Sequence, residues 1–100
     1  MRTGKVKTFS LLKPVLRPGV RYRKDLQGGV IFDAASLGVC FTNPTGLVIL
    51  GEINGRRACA DIVERLQHRF VSTSSRRTVQ RDVRRFLKEL ASVGLIDLEA

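Results

Sequence analysis

The segment Ser75–Val93 constrains the fold of this chain more than any other stretch. Val79, Val83, Phe86, Leu87, Leu90 and Val93 recur at spacings of three and four, which places them on one face of an α-helix that must be buried. The rest of its surface is cationic: Arg76, Arg77, Arg81, Arg84, Arg85 and Lys88 stand against only Asp82 and Glu89. Charge of one sign at that density attracts an acidic ligand before any contact forms. The helix is expected to be one half of a binding groove, with the short apolar strand Val39–Thr42 as the other half.

One hundred residues, 43% of them hydrophobic, suffice for a single small domain with one modest core. The formal net charge of +9 exceeds what solubility asks of a domain this size, so it points to an anionic partner: nucleic acid, a membrane surface, an acidic peptide or an acidic protein. Cys40 and Cys59 fall in a strand and on the apolar face of a helix, so they read as small buried hydrophobes in a reducing compartment rather than as a disulfide. No apolar run approaches the ~18 residues of a membrane span. Met1–Lys13 also lacks the apolar core of a signal peptide, and the expected location is cytoplasmic, with no membrane partner.

In chain order, residues 1–15 read as a basic, flexible arm carrying Arg2, Lys5, Lys7 and Lys13, with a domain over residues 16–98. Val20–Lys24 alternates apolar and charged residues, Gly29–Asp33 holds Val30, Ile31 and Phe32, and Val39–Thr42 follows a loop. These three predict an antiparallel meander whose last strand has a free edge. Asn43–Pro44 predicts a helix start, and that helix runs to Ile53, buries Leu47, Leu50 and Ile53, and stops at Asn54–Gly55. A second helix over Ala58–Phe70 buries Cys59, Ile62, Val63, Leu66 and Phe70, with no capping side chain at its start. Ser74 or Ser75 caps the third helix and Gly94 ends it, after which Leu95–Leu98 forms a short strand or packs on the core.

Residues for catalysis or metal binding are not grouped. His68 has no cysteine or carboxylate at ligand spacing, phosphate loops and nucleophile elbows are missing, and the acids are scattered. The expectation is therefore no enzyme, no cofactor and no metal. Ser72–Ser75 reads as a polar linker with a helix cap, and Phe41 and Phe86 sit at core spacing as packing residues.

Several pieces in order carry a resemblance: Leu16–Arg17–Pro18–Gly19–Val20, the meander, Phe41–Thr42–Asn43–Pro44–Thr45–Gly46, Asn54–Gly55, Asp61–Ile62–Val63–Glu64–Arg65–Leu66, then Asp82–Val83, Phe86–Leu87, Leu90 and Gly94–Leu95–Ile96. Together they resemble the PqqD family, the small peptide chaperones also called RiPP recognition elements, over roughly Leu16–Leu98. The resemblance implies an α+β fold like a winged helix-turn-helix, with a three-stranded antiparallel β-meander ahead of three α-helices. It also implies a non-catalytic binder that takes the leader segment of a ribosomally made precursor peptide as an added strand and presents it to a modifying enzyme, often a radical S-adenosylmethionine protein. Carried onto this chain, the peptide-binding residues are Val39, Cys40, Phe41 and Thr42 of the third strand, with the edge backbone of Cys40 and Thr42 pairing with the leader. On the third helix they are Val79, Asp82, Val83, Arg85 and Phe86, with Arg84 replacing Arg85 if the other flank faces the strand. The competing expectation is a winged-helix DNA binder that lays Ser75–Lys88 in the major groove, although Gln80 is the helix's one ready base reader.

Overall fold

Elements follow one another as β1 (Lys13–Leu16), β2 (Val20–Asp25), β3 (Gly28–Asp33), β4 (Gly38–Thr42), α1 (Pro44–Glu52), α2 (Cys59–Arg69), α3 (Arg76–Ser92) and β5 (Ile96–Glu99). This is a computed structural model, and it describes residues 9–70 and 74–100. The fold is α+β: β2, β3 and β4 form an antiparallel sheet with β3 in the middle, and β1 pairs antiparallel with β5 as a second, two-stranded sheet.

Local chemistry explains most of the boundaries. Asp25 and Gly28 close a two-residue hairpin, in which the Asp25 carboxylate accepts the Gln27 N–H at 2.9 Å. The longer β3–β4 turn is held by Asp33, which accepts from the Ala35 N–H at 3.1 Å and the Ser36 hydroxyl at 3.0 Å. Asn43 caps α1 by accepting the Gly46 N–H at 2.8 Å, with Pro44 in the first turn where its missing N–H loses nothing. Ser75 caps α3 through the Thr78 N–H at 3.1 Å, and Gly94 leaves the helix at a φ of +79° that favours glycine.

The start of α2 is better supported than the sequence indicates. Ala58 offers no capping oxygen, yet Asp61 reaches back to accept the Ala58 N–H at 2.9 Å, which is half of a capping box. Asn54 accepts the N–H groups of Arg56 and Arg57, both at 2.9 Å, and so organises the turn before it. Nearby, the Glu52 carboxylate takes an ion pair from Arg57 Nη1 at 3.0 Å and a second from Arg65 Nε, joining α1, the turn and α2. Glu52 is buried, so both guanidinium partners are needed to compensate its desolvation.

Ile49 and Leu50 of α1, Cys59, Ile62 and Leu66 of α2, and Val79, Val83, Leu87 and Leu90 of α3 meet Val20 and Ile31 of the sheet, with Leu95 and Ile96 closing the cluster. Several sequence expectations change here. In α1, Ile49 joins Leu50 in the core while Leu47 and Ile53 are only partly buried. Val63 and Phe70 likewise only flank the core from α2, and Val93 lies outside the α3 stripe at 65% exposure. The expected boundary between residues 15 and 16 falls inside β1, where Pro14 is buried opposite Leu98; the part of the arm before Phe9 lies outside the described residues. Cys40 is exposed, in contrast to buried Cys59, because an edge strand has a neighbour on one side only.

Directly opposed residues of an antiparallel sheet share a face. The face of Tyr22, Ile31 and Cys40 turns toward the helices, since Ile31 is buried. The other face carries Arg21, Phe32 and Val39 in one row and Arg23, Val30 and Phe41 in the next. No helix among the described residues is long and apolar enough to cross a membrane.

Truncation should separate core from surface on α3. Leu87→Ala, at a side chain with 0% exposure, is expected to lower unfolding free energy by ~2–5 kcal/mol in urea denaturation. Val93→Ala is expected to change it by less than ~0.5 kcal/mol.

Candidate functional site

The hydrogen-bond phase of the sheet decides what β4 offers. A two-residue hairpin makes Asp25 and Gly28 a hydrogen-bonded pair, and the Ala34 N–H donates to the Gly19 carbonyl at 3.0 Å in the same phase. Gly28, Val30 and Phe32 therefore bond to β2, which leaves Gly29, Ile31 and Asp33 to bond to Thr42, Cys40 and Gly38. It follows that the N–H and C=O groups of Val39 and Phe41 point away from β3. Among the described residues β4 pairs with no other strand, so these groups form an open edge. The edge backbone expected at Cys40 and Thr42 thus belongs to Val39 and Phe41. Phe41, expected as a packing residue, is 76% exposed, and Val39 is 52% exposed.

Where β4 turns into α1, two glycines close around Thr42. A Cβ on Gly28 would stand 2.1 Å from the Thr42 carbonyl oxygen, and one on Gly46 would stand 1.9 Å from its hydroxyl oxygen. The same Gly46 position lies 3.1 Å from the Phe86 ring, so it brings the end of β4 and the middle of α3 to one point. Beside it opens a cleft of about 340 Å3, walled by the cap Asn43, by Thr45, Gly46 and Ile49 of α1 and by Asp82, Arg85, Phe86 and Glu89 of α3.

This geometry sorts the helix residues. Asp82, Arg85 and the partly buried Phe86 face the cleft, while Val79 and Val83 are core residues at 5% and 1% exposure. Arg84 lies on the other flank, its guanidinium 5.0 Å from the Phe9 ring centroid, with the Lys88 ammonium 5.5 Å from the same ring. The flank facing α1 and the end of β4 is therefore the one that carries Arg85. Arg85 and Glu89 also border a second, shallower hollow of about 480 Å3 with Arg81, Arg84, Lys88 and Ser92, so the cleft opens onto a predominantly cationic surface. Asn43, Thr45, Gly46, Ile49 and Glu89 were not expected at the site. Gly46 carried a readable signal, as a glycine in the first turn of a capped helix, whereas the others depend on how α1 crosses α3.

Burial pushes the Cys59 thiol up to about 11. On the far side of α3, a hydrogen bond from Arg76 at 2.7 Å holds the exposed Glu64 carboxyl below its ordinary range. Among the described residues no group of three or more histidine, cysteine or acidic side chains is placed to hold a metal.

The sequence profile described as coenzyme PQQ synthesis protein D (PqqD) matches residues 28–96, more than half of the chain. The chain belongs to the PqqD family. Three solved structures share the PqqD-like fold at low identity. The PqqD truncation of Methylobacterium extorquens PqqCD, described as a functional and stand-alone RiPP recognition element, is 20% identical with a TM-score of 0.71, covering 89% of this chain and 92% of that one. A lasso peptide synthetase B1 complexed with the leader peptide is 21% identical at TM-score 0.71, covering 85% and 98%. TbiB1 in complex with the TbiA(beta) leader peptide is 20% identical at TM-score 0.70, covering 83% and 94%. No curated protein matches this chain.

The contrast between the two thiols is directly measurable. Cys40 is exposed on β4 and Cys59 is buried with its thiolate suppressed, so a thiol reagent at pH 8 is expected to modify Cys40 rapidly and Cys59 only after denaturation. Peptide mapping by mass spectrometry reads the order, and equal rates in the folded protein would contradict the placement of Cys59.

Proposed function

We propose that this protein is a non-catalytic peptide chaperone. It binds the leader segment of a ribosomally synthesised precursor peptide as a strand antiparallel to β4 and presents it to a modifying enzyme of RiPP natural-product biosynthesis. The observation that carries this reading is the open edge of Val39 and Phe41 leading to the cleft with Asp82, Arg85 and Phe86. An edge of unpaired backbone groups supplies affinity that is indifferent to peptide sequence, and a neighbouring pocketed helix supplies selection. Support also comes from the folds it shares with two proteins seen with leader peptides.

The peptide is acidic on this reading. The cleft opens onto Arg81, Arg85 and Lys88, which steer carboxylates toward the edge and disfavour basic peptides. The recipient enzyme belongs to the radical S-adenosylmethionine class that the family resemblance implies, and the setting is cytoplasmic, in keeping with two unpaired cysteines. A duplex-binding role is less favoured because Arg76 is paired with Glu64 and Arg84 is stacked over Phe9, which reduces the cations free to reach phosphates.

Phe41→Pro tests strand addition. An edge position with an outward N–H tolerates proline, so the variant should fold while losing one peptide hydrogen bond. With a fluorescent synthetic acidic leader peptide that the parent chain binds, affinity should fall roughly two- to ten-fold, as one lost bond of ~0.5–1.5 kcal/mol requires. An unchanged affinity in the folded variant would refute strand addition. Arg85→Glu should weaken the same peptide further at low salt than at high salt, because exposed charge interactions are screened. Chemical-shift changes that avoid both β4 and α3 would place the peptide elsewhere.

A further inference from the structure

The outward face of the β2–β3–β4 sheet is covered by no other element among the described residues. Arg21, Phe32 and Val39 form one row across it, and Arg23, Val30 and Phe41 the next, with Phe32 at 39%, Val39 at 52% and Phe41 at 76% exposure. The apolar residues are contiguous on β3 and β4 and the arginines lie together on β2; Asp33 belongs to the opposite face, and Asp25, in phase with the arginines at the end of β2, is engaged at the hairpin by the Gln27 N–H. Apolar surface gathered this way on a small domain marks an interaction site rather than ordinary surface.

We infer that this sheet face is the docking surface for the enzyme that receives the peptide, through a protein surface of apolar side chains bordered by carboxylates on the side that meets β2. The inference rests on the chaperone reading above but concerns a different surface from the β4 edge. Charge complementarity selects the occupant. A second copy stacked face to face would gather four arginines, Arg21 and Arg23 from each copy, in one interface of a chain that already carries +9. A nucleic acid would satisfy the arginines but leave Phe32, Val39 and Phe41 against a charged backbone. A carboxylate-bordered apolar patch matches both halves.

The location also suits delivery. A peptide strand paired with Val39 and Phe41 sets the residues directly opposite them on the same outward face. The enzyme would then meet one continuous surface made partly of the chaperone and partly of its cargo, which favours the loaded complex over either component alone.

Arg21→Glu combined with Arg23→Glu, and separately Phe32→Gln, test this with the full chain. All three positions lie on β2 or β3, away from the β4 edge, and Arg21 and Arg23 are exposed, so folding is expected to persist by circular dichroism. The probes are the purified modifying enzyme encoded with the precursor, followed by biolayer interferometry, and the labelled leader peptide, followed by anisotropy. Both variants should weaken enzyme association at least ten-fold while peptide affinity stays within about two-fold of the parent. Enzyme association unchanged in both variants would overturn the proposal, and so would self-association or duplex DNA retention by the parent chain that these substitutions remove. A parent chain that binds no peptide but still docks the enzyme through this face would sink the chaperone reading and leave the docking surface standing.

Discussion

Thr42 sits between two glycines, and much of the site's geometry depends on that fit. Gly28 lets the start of β3 run against the Thr42 carbonyl, and Gly46 lets the first turn of α1 close over its hydroxyl, positions where any Cβ would overlap an oxygen. The chain can then turn from β4 into α1 within one residue, Asn43, whose side chain caps the helix. Because the turn is tight, α1 passes close beside the Phe86 ring, and the cleft is the gap left between them. A looser corner would separate the open edge from the α3 wall of the cleft.

The cations of α3 divide by position rather than acting as one patch. Arg76 is tied to Glu64 of α2, Arg84 and Lys88 gather over Phe9, and Arg85 borders the cleft. The apolar stripe underneath holds these directions fixed, since Val79, Val83, Leu87 and Leu90 leave the helix no freedom to rotate. Counting arginines therefore overstates the charge available to a ligand, and helix phase decides which of them reach it.

Features set by near neighbours in sequence were legible, and features set by distant ones were not. The cap Asn43, a serine cap at Ser74 or Ser75, the stop at Gly94, the alternation in β2 and the helical period of α3 each depend on a few consecutive residues, and all were read from them. The four-residue strand β1 contains a proline and exists only because Ile96–Glu99 pairs with it. Within α1, Leu47–Leu50 is apolar throughout, so the run has no phase to show that Ile49 rather than Leu47 faces inward. At the site, the strand Val39–Thr42 and the helix opposite it were readable, but the choice between the Arg84 and Arg85 flanks was not, and apolar composition made Cys40 and Phe41 look buried. Which β4 backbone groups face the open edge follows from the hairpin phase, two strands away.

The pairing of β1 with β5 has a consequence for how the molecule is made. Arg17 and Asp97, hydrogen-bonded beside this sheet, are separated by 80 positions in the chain. Contacts of such span form late, because most of the loop entropy must be surrendered before they return any stability. During synthesis the meander and the first two helices can assemble while β1 waits without a partner for Ile96–Glu99 to emerge. Pairing of β5 with β1 would thus act as a latch, converting a partly ordered nascent chain into a single cooperative unit.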